Sequence, residues 1–539
     1  MRPGWRSVRR PRPRGCGCWR PGAGTSSAAW PRATRAFSMR WERGNASAFC
    51  AVCCRKRKHG AGKRKPAGRP EGRRMRAMKT RNTLVGRIDR EVLAFTVGKD
   101  LTLDRLLVEA DCLGTAAHVT MLARLPLRPP LLTAAQRTAV VAELVAIMRA
   151  ARRGRFAIAA EDQDVHLAVE RMLTRRLGDL GKRVHTARSR NDQAATDLRL
   201  YTRGELLEAL DEALALAGVL LRLGRRHAAV PMVGRTHLQP AMPSSVGVWA
   251  SAYAESLLDD VDLLRAAYEL NNRSPLGSAA GYGVPLPIDR VLTARLLGFR
   301  GPVHNVLHAA NLRGKCEAAV LAALGQAMIT LSRLAEDLIL FTMPEFGYFS
   351  LPPAFCTGSS IMPQKNNPDV LELVRARAAV VLGWGATAAA IVSRLPGGYQ
   401  RDLQETKEPL IEGLRTIRSC LRILTPLLSA LRVHRERLAA GFTPSVFATD
   451  RALELAAEGV PFRDAYRRVK EDLAGLRALD PRAALARKTH LGAPAGLDWA
   501  GLRRRMAAAA RATGRERRRC QRALTALLGV RYPELEGKP

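Results

Sequence analysis

Apolar residues in this chain recur at helical spacing over stretches too long to be strands. Leu206, Leu210, Ala213, Ala217 and Leu220 fall on one face of a helix, and similar patterns run through 318–340 and 371–392. A period near 3.6 residues sustained this far lays one apolar stripe along each of several long helices. No segment shows the clear alternation of a half-buried strand. Hydrophobic residues make up 47% of the chain but aromatics only 5%, with Ala and Leu dominant, a composition that favours helix. Helices of about 25 residues or more point to a long bundle that also packs against other subunits. The fold predicted is all-α, with three helical domains and a long central helix bundle.

The 539 residues have room for roughly two to four domains. The formal charge of +40 is unevenly placed: residues 1–81 hold 24 Lys and Arg against Glu42 and Glu71, a net +22 that leaves +18 for the rest. Rich in Arg, Pro and Gly and lacking apolar periodicity, this basic segment cannot bury enough surface to fold alone, so disorder is expected. Three readings compete for it. One is an arm that neutralises nucleic-acid phosphates, one an organelle transit peptide, and one a translation start lying later, at Met75 or Met78. The last carries most weight, because the patterned sequence begins just after Met78. Cys50, Cys53 and Cys54 with His59 hint at zinc, but the second half of a metal pattern is missing. The other five cysteines are scattered like reduced cytosolic thiols. No apolar secretory core is visible, and the uncharged apolar run 378–393 is shorter than the roughly 20 residues of a membrane span. A soluble, cytoplasmic chain with no membrane partner is expected.

Beyond the extension, residues 82–188 read as a first helical domain. A helix runs through Asp111 and His118 to Leu122. Thr133-Ala134-Ala135-Gln136 forms a capping box, and Glu161 to His166 precedes a third helix. His118 and His166 read as helix or core residues. Residues 189–440 hold the long helices, and residues 441–539 form a small C-terminal helical domain in which Arg503–Arg505 and Arg515–Arg519 read as solvated helix faces.

Four stretches carry chemistry. Gly358-Ser359-Ser360-Ile361-Met362-Pro363-Gln364-Lys365-Asn366-Asn367-Pro368 has the make-up of a mobile loop, with a hydroxyl beside a lysine and an amide that can hold a carboxylate. His185 to Gln193 packs Arg188, Ser189, Arg190, Asn191 and Gln193 into a dense donor set for an anion. Gly234-Arg235-Thr236-His237-Leu238-Gln239-Pro240-Ala241-Met242-Pro243 places a histidine near two prolines that mark a helix boundary. Gly397 to Glu408 turns at Gly-Gly into a polar helix start containing Tyr399, Gln404 and Lys407. By composition alone each could be a surface turn or a charged helix start.

Their residue order resembles the signatures of the fumarase/aspartase superfamily, and Pro-Gln-Lys with Asn-Pro-Asp resembles the argininosuccinate lyases most. The resemblance spans residues 82–539 and implies five long helices per chain forming a tetramer core, with each active site drawing on three chains. It implies β-elimination of argininosuccinate to arginine and fumarate, as in arginine biosynthesis. It makes Ser359 and His237 the proton-transfer pair, with Glu372 orienting His237 and Lys365 and Asn367 holding the carboxylate that takes up charge. Ser189, Arg190, Asn191, Thr236, Tyr399, Gln404 and Lys407 become substrate ligands. Ser359 as base and His237 as donor is the preferred assignment, and the reverse stays open. Asp100 stands where some members carry a substrate-binding serine, Met242 where many carry glutamine. No cofactor or metal is expected, and no phosphate-binding or dinucleotide fingerprint is present. Two other readings are a catalytically silent relative in a structural role, or a neighbouring fumarate-releasing enzyme such as adenylosuccinate lyase. Nucleic acid is expected to touch the chain only non-specifically, through residues 1–81.

Overall fold

A computed structural model describes residues 80–83, 86–477 and 479–535. The disorder expected up to residue 79 and the Cys50, Cys53, Cys54 and His59 cluster lie outside these residues. Thr80–Thr83 (β1) pairs antiparallel with Gly86–Asp89 (β2), so Thr80 and Arg81 belong to a short ribbon.

Val108–Leu122 (α1), Ala134–Arg152 (α2) and Val165–Leu177 (α3) follow. Thr133 starts α2 with the capping box read from sequence. Its hydroxyl accepts the Gln136 N–H at 3.2 Å, and Gln136 Oε1 accepts the Thr133 N–H at 2.9 Å. Helix α1 is buried on nearly every side, which is why its sequence shows no one-sided stripe.

The bundle consists of Arg190–Arg226 (α4), Val246–Asn271 (α5), Lys315–Thr342 (α6), Asp369–Val392 (α7) and Lys407–Ser429 (α8). Helix α4 packs against α5 and α8, and α6 packs against α5, α7 and α8. The stripe of Leu206, Leu210, Ala213, Ala217 and Leu220 is buried in this core. So are Leu414, Ile417, Leu421 and Leu424 of α8, each worth roughly 1.5–3 kcal/mol of transfer free energy. Helix α7 behaves differently. Leu371, Val374 and Val381 face the bundle, while Leu373, Val380 and Leu382 stand 52%, 47% and 43% exposed. By length and composition α6 and α7 could each cross a membrane. The chain buries 61% of the apolar window of α6 but only 22% of that of α7.

Sequence periodicity shows no strand, yet Pro231–Thr236 (β3) and Gln239–Ser245 (β4) form an antiparallel hairpin. The prolines that read as a helix boundary lie inside it. In a ribbon of two strands each strand is an edge, so a missing proline N–H breaks no inner ladder. Phe349–Ser350 (β5) pairs with Arg432–Val433 (β8), and Thr357–Gly358 (β6) with Asn366–Asn367 (β7).

At the C-terminal end, Ala448–Ala457 (α9) packs on Phe462–Glu471 (α10). The long helix Trp499–Leu528 (α11) lies along α4 and touches α1, α2 and α5. It ends at Gly529, whose φ of 69° is the left-handed cap that glycine adopts without a Cβ clash.

Candidate active site

The N-termini of three helices meet at one cleft of about 440 Å³. Asp164 caps α3, Ser189 caps α4 ahead of Arg190 and Asn191, and Lys407 opens α8. Each helix start brings about half a positive charge, so their convergence favours an anion. Arg188, Arg313 and Arg401 add cations, and Asp100, Asp104 and Asp164 set carboxylates among them. The cleft therefore suits a ligand that carries both carboxylates and a cation.

The polar residues are held from behind. The Ser189 hydroxyl accepts the Asn191 N–H at 3.2 Å, while Asp192 accepts the Ser189 N–H at 2.9 Å. Asp192 also accepts the N–H groups of Gly277 at 2.9 Å and Ala279 at 3.0 Å, stapling the start of α4 to that turn. Ser189 thus has a capping duty that a ligand contact would have to share. The side-chain amide of Asn191, by contrast, makes no hydrogen bond among the described residues. Arg190 pairs with Asp164 and donates to Gln163 Oε1 at 3.3 Å. Gln404 donates to the Thr96 carbonyl at 3.1 Å. Tyr399 lies under the Arg313 guanidinium at 5.1 Å.

Lys407 is buried and donates to Asp100 at 2.8 Å and Asp104 at 2.6 Å. Burial opposes its charge, but the two aspartates outweigh burial and hold its pKa above the ordinary lysine range. Burial raises the Asp100 carboxyl, and Lys407 offsets only part of that. Motif reading gave Asp104 and Arg313 no role. The signal for Asp104 was its i, i+4 spacing from Asp100, which puts both carboxylates on one helical face.

Behind the cleft, His166 Nδ1 lies 2.8 Å from Asp111 and 3.4 Å from Asp197, all three buried. Burial disfavours the imidazolium, but Asp164, Asp111 and Asp197 together push its pKa up to about 9. The histidine is a core residue, as its sequence context implied, and it also lines the cleft.

The remaining motif residues lie elsewhere in the protomer. Thr236 and His237 are exposed at the tip of the β3–β4 hairpin. His237 and Leu238 have φ of 53° and 60°, the left-handed pair of a tight turn that usually recruits Asn-Gly. Each such residue with a Cβ costs roughly 1–2 kcal/mol, so the backbone of the tip is strained while the His237 side chain stands exposed. His237 also edges a cavity of about 760 Å³ between the hairpin and helices α5 and α6. Ser359, Lys365 and Asn367 belong to the β6–β7 hairpin, where Ser359 Oγ accepts the N–H groups of Ile361 at 3.3 Å and Met362 at 3.1 Å. Glu372 sits in the first turn of α7, exposed like Lys365, and neither forms an ion pair among the described residues. One protomer therefore joins Ser189, Arg190, Asn191, Tyr399, Gln404 and Lys407 in one cleft. It leaves Thr236 with His237, and Ser359 with Lys365, Asn367 and Glu372, on two separate outer sites.

Residues 97–383 match the family model described as Lyase. The chain is similar to the argininosuccinate lyase of Sorangium cellulosum, with 48% identity over 78% of this chain and 97% of that protein. It is 44% identical to that of Phocaeicola vulgatus over 72% and 86%, and 41% identical to that of Thermotoga neapolitana over 71% and 96%. Among solved structures, EDDS lyase in complex with formate superposes with a TM-score of 0.68 at 21% identity, over 81% of this chain and 94% of that one. The class II fumarase of Schistosoma mansoni gives 0.58 at 17% identity, over 75% and 98%. These two likenesses bear on the helical fold alone. Sequence kinship over most of the chain and the shared fold together show that this chain belongs to the argininosuccinate lyase family of the fumarase/aspartase superfamily.

Proposed function

We propose that the cleft is one third of a composite active site, completed by the Thr236–His237 tip and the Ser359 loop of neighbouring protomers in a homotetramer. The chain is a carbon–nitrogen lyase that splits argininosuccinate into arginine and fumarate. That substrate carries three carboxylates and a guanidinium, and the mixed cations and aspartates of the cleft complement it. Asn191 offers a free amide, and Tyr399, Gln404 and Arg190 line the same space. Lys407 holds the two aspartates in place and retains one N–H for a carboxylate.

Elimination requires removing a weakly acidic C–H and expelling a guanidino nitrogen. Ser359 takes the proton once its loop closes over the substrate and local donors lower its pKa. Lys365 and Asn367 stabilise the carboxylate that accumulates charge, and closure keeps water from it. His237, oriented by Glu372, supplies the leaving-group proton. Each of these charges is met by a side chain, so the scheme calls on no cofactor. The apolar face of α7 is read as subunit contact rather than as a membrane span, because Arg375 and Arg377 interrupt it and lipid would penalise them. The enzyme is then a cytoplasmic tetramer whose core is the 189–440 bundle, flanked by residues 82–188 and 441–539.

The observation that carries this reading is the separation of the motif residues into one charged cleft and two exposed tips. Mixing subunits tests it. Protein bearing Asn191→Ala and protein bearing Ser359→Ala are each expected to be inactive. Denatured and refolded together in equal amounts, they should recover about a quarter of wild-type fumarate release, because a site assembled from different chains draws both intact residues that often. No recovery from properly assembled mixed tetramers would place both residues in one protomer's site and end the composite reading.

A further inference from the structure

Helix α11 carries nine arginines and a single acid, Glu516. Three of the arginines have acidic partners that account for them, and Arg503 is exposed on a different side of the helix. Arg505 reaches Asp259 at 2.7 Å and Asp262 at 2.8 Å, Arg517 reaches Asp211 at 2.7 Å and also Glu208, and Arg519 meets Glu516 at 2.8 Å. Arg504 touches Asp498 only at 3.8 Å, with its side chain 74% exposed. Arg511, Arg515, Arg518 and Arg522 are exposed and form no ion pair among the described residues.

These five exposed residues are not scattered. Steps of seven, four, three and four residues bring each back to nearly the same helical angle, so they form a straight row. The row stands opposite the buried face of Ala509, Thr513, Cys520 and Leu524. At 1.5 Å rise per residue it is about 27 Å long. Neighbouring like charges at these spacings each cost the helix a few tenths of a kcal/mol, so the row opposes helix stability rather than serving it. Guanidinium forks match phosphate oxygens bidentately. A regular row of them on a rigid rod fits a partner with a regular row of anions. No exposed large apolar side chain of the described residues lies on α11, and no aromatic flanks the row. That disfavours insertion into lipid and stacking on single-stranded bases.

We infer that the arginine row of α11 is a sequence-independent docking surface for the phosphate backbone of double-stranded nucleic acid. It is separate from the cleft. The full-length protein and an Arg511→Gln, Arg515→Gln, Arg518→Gln, Arg522→Gln variant would be titrated into a labelled DNA duplex of arbitrary sequence across a range of salt. Losing four phosphate contacts should lower the slope of log K against log salt by about 3 to 4. It should also remove about a hundred-fold of the affinity change between roughly 50 and 200 mM salt. Residues 1–81 are common to both proteins and cancel. Fumarate release should stay at the wild-type level. The matching arginine-to-lysine variant should keep the slope, and if it loses it, charge is not what the row supplies and the inference fails. Equal slopes for wild type and the glutamine variant overturn it. So does an effect confined to vesicles containing phosphatidylserine, which would assign the row to a membrane surface. Should the fourfold variant not fold, Arg515→Gln alone should lower the slope by about 1, and an unchanged slope again overturns the proposal.

Discussion

Replacing Lys407 with methionine tests the electrostatic logic of the cleft most directly. The ammonium lies 2.8 Å from Asp100 and 2.6 Å from Asp104, and the three side chains are 5%, 13% and 2% exposed. Methionine keeps most of the volume but leaves two carboxylates facing each other with no counter-charge. Breaking a buried pair in this way costs about 3–5 kcal/mol, because the uncompensated charge stays desolvated. The loss should be largest near neutral pH. Burial already holds the Asp100 carboxyl above its ordinary range, and without Lys407 that shift grows. The folded variant then binds more protons than the unfolded chain, so its stability recovers as pH falls toward about 5. Adding Asp100→Asn and Asp104→Asn to Lys407→Met removes the stranded charges and should restore most of the stability. The assay is urea unfolding followed by far-UV circular dichroism at one fixed protomer concentration, since the proposed assembly would contribute to the measured stability. A loss below about 1 kcal/mol for the single variant, or a triple variant no more stable than the single one, would refute the reasoning.

Further outcomes can be measured alongside. Ser359→Ala should keep the fold and the assembly seen by sedimentation, yet abolish fumarate release followed by absorbance; near-normal turnover would remove this serine from the base position. His166 is raised to about 9 by its aspartates against the effect of burial, so its charge contributes stability fully below about 6.5 and loses it as pH rises through 9. The stability difference between wild type and His166→Gln should therefore shrink between neutral pH and about pH 10, and a constant difference would show that the imidazole is not charged in the fold. Ser189→Ala removes the α4 cap and should cost about 0.5–2 kcal/mol in the same urea experiment. Leu373→Asp, at a position 52% exposed on α7, should leave the protomer folded but shift sedimentation toward smaller species.

Local rules made much of the chain legible in advance. The capping box at Thr133, the buried stripe from Leu206 to Leu220 and the first turn of α7 around Glu372 follow from signals within a few residues, and the structure has them where the periodicity puts them. The β3–β4 hairpin was not legible. Its strands carry no alternating pattern, and its turn uses His237 and Leu238 where Asn-Gly would have announced it. Asp104 and Arg313 also escaped, because nothing near them in the chain says what they will face. Lys407 was marked as a substrate ligand, and the carboxylates it meets in the protomer come from residues roughly three hundred positions away.

By itself, then, the order of residues determined the helical character, the long bundle stripes and the kinship of the motifs, since each depends on spacing along one helix or on the identity of a short run. Only the folded chain decided which motifs share a space. The starts of α3, α4 and α8 converge because α8 packs along α4 and α3 touches α4, and that arrangement leaves the imidazole of His237 and the hydroxyl of Ser359 on outer tips. Proximity between residues hundreds of positions apart is a property of how helices cross, and no local pattern encodes it.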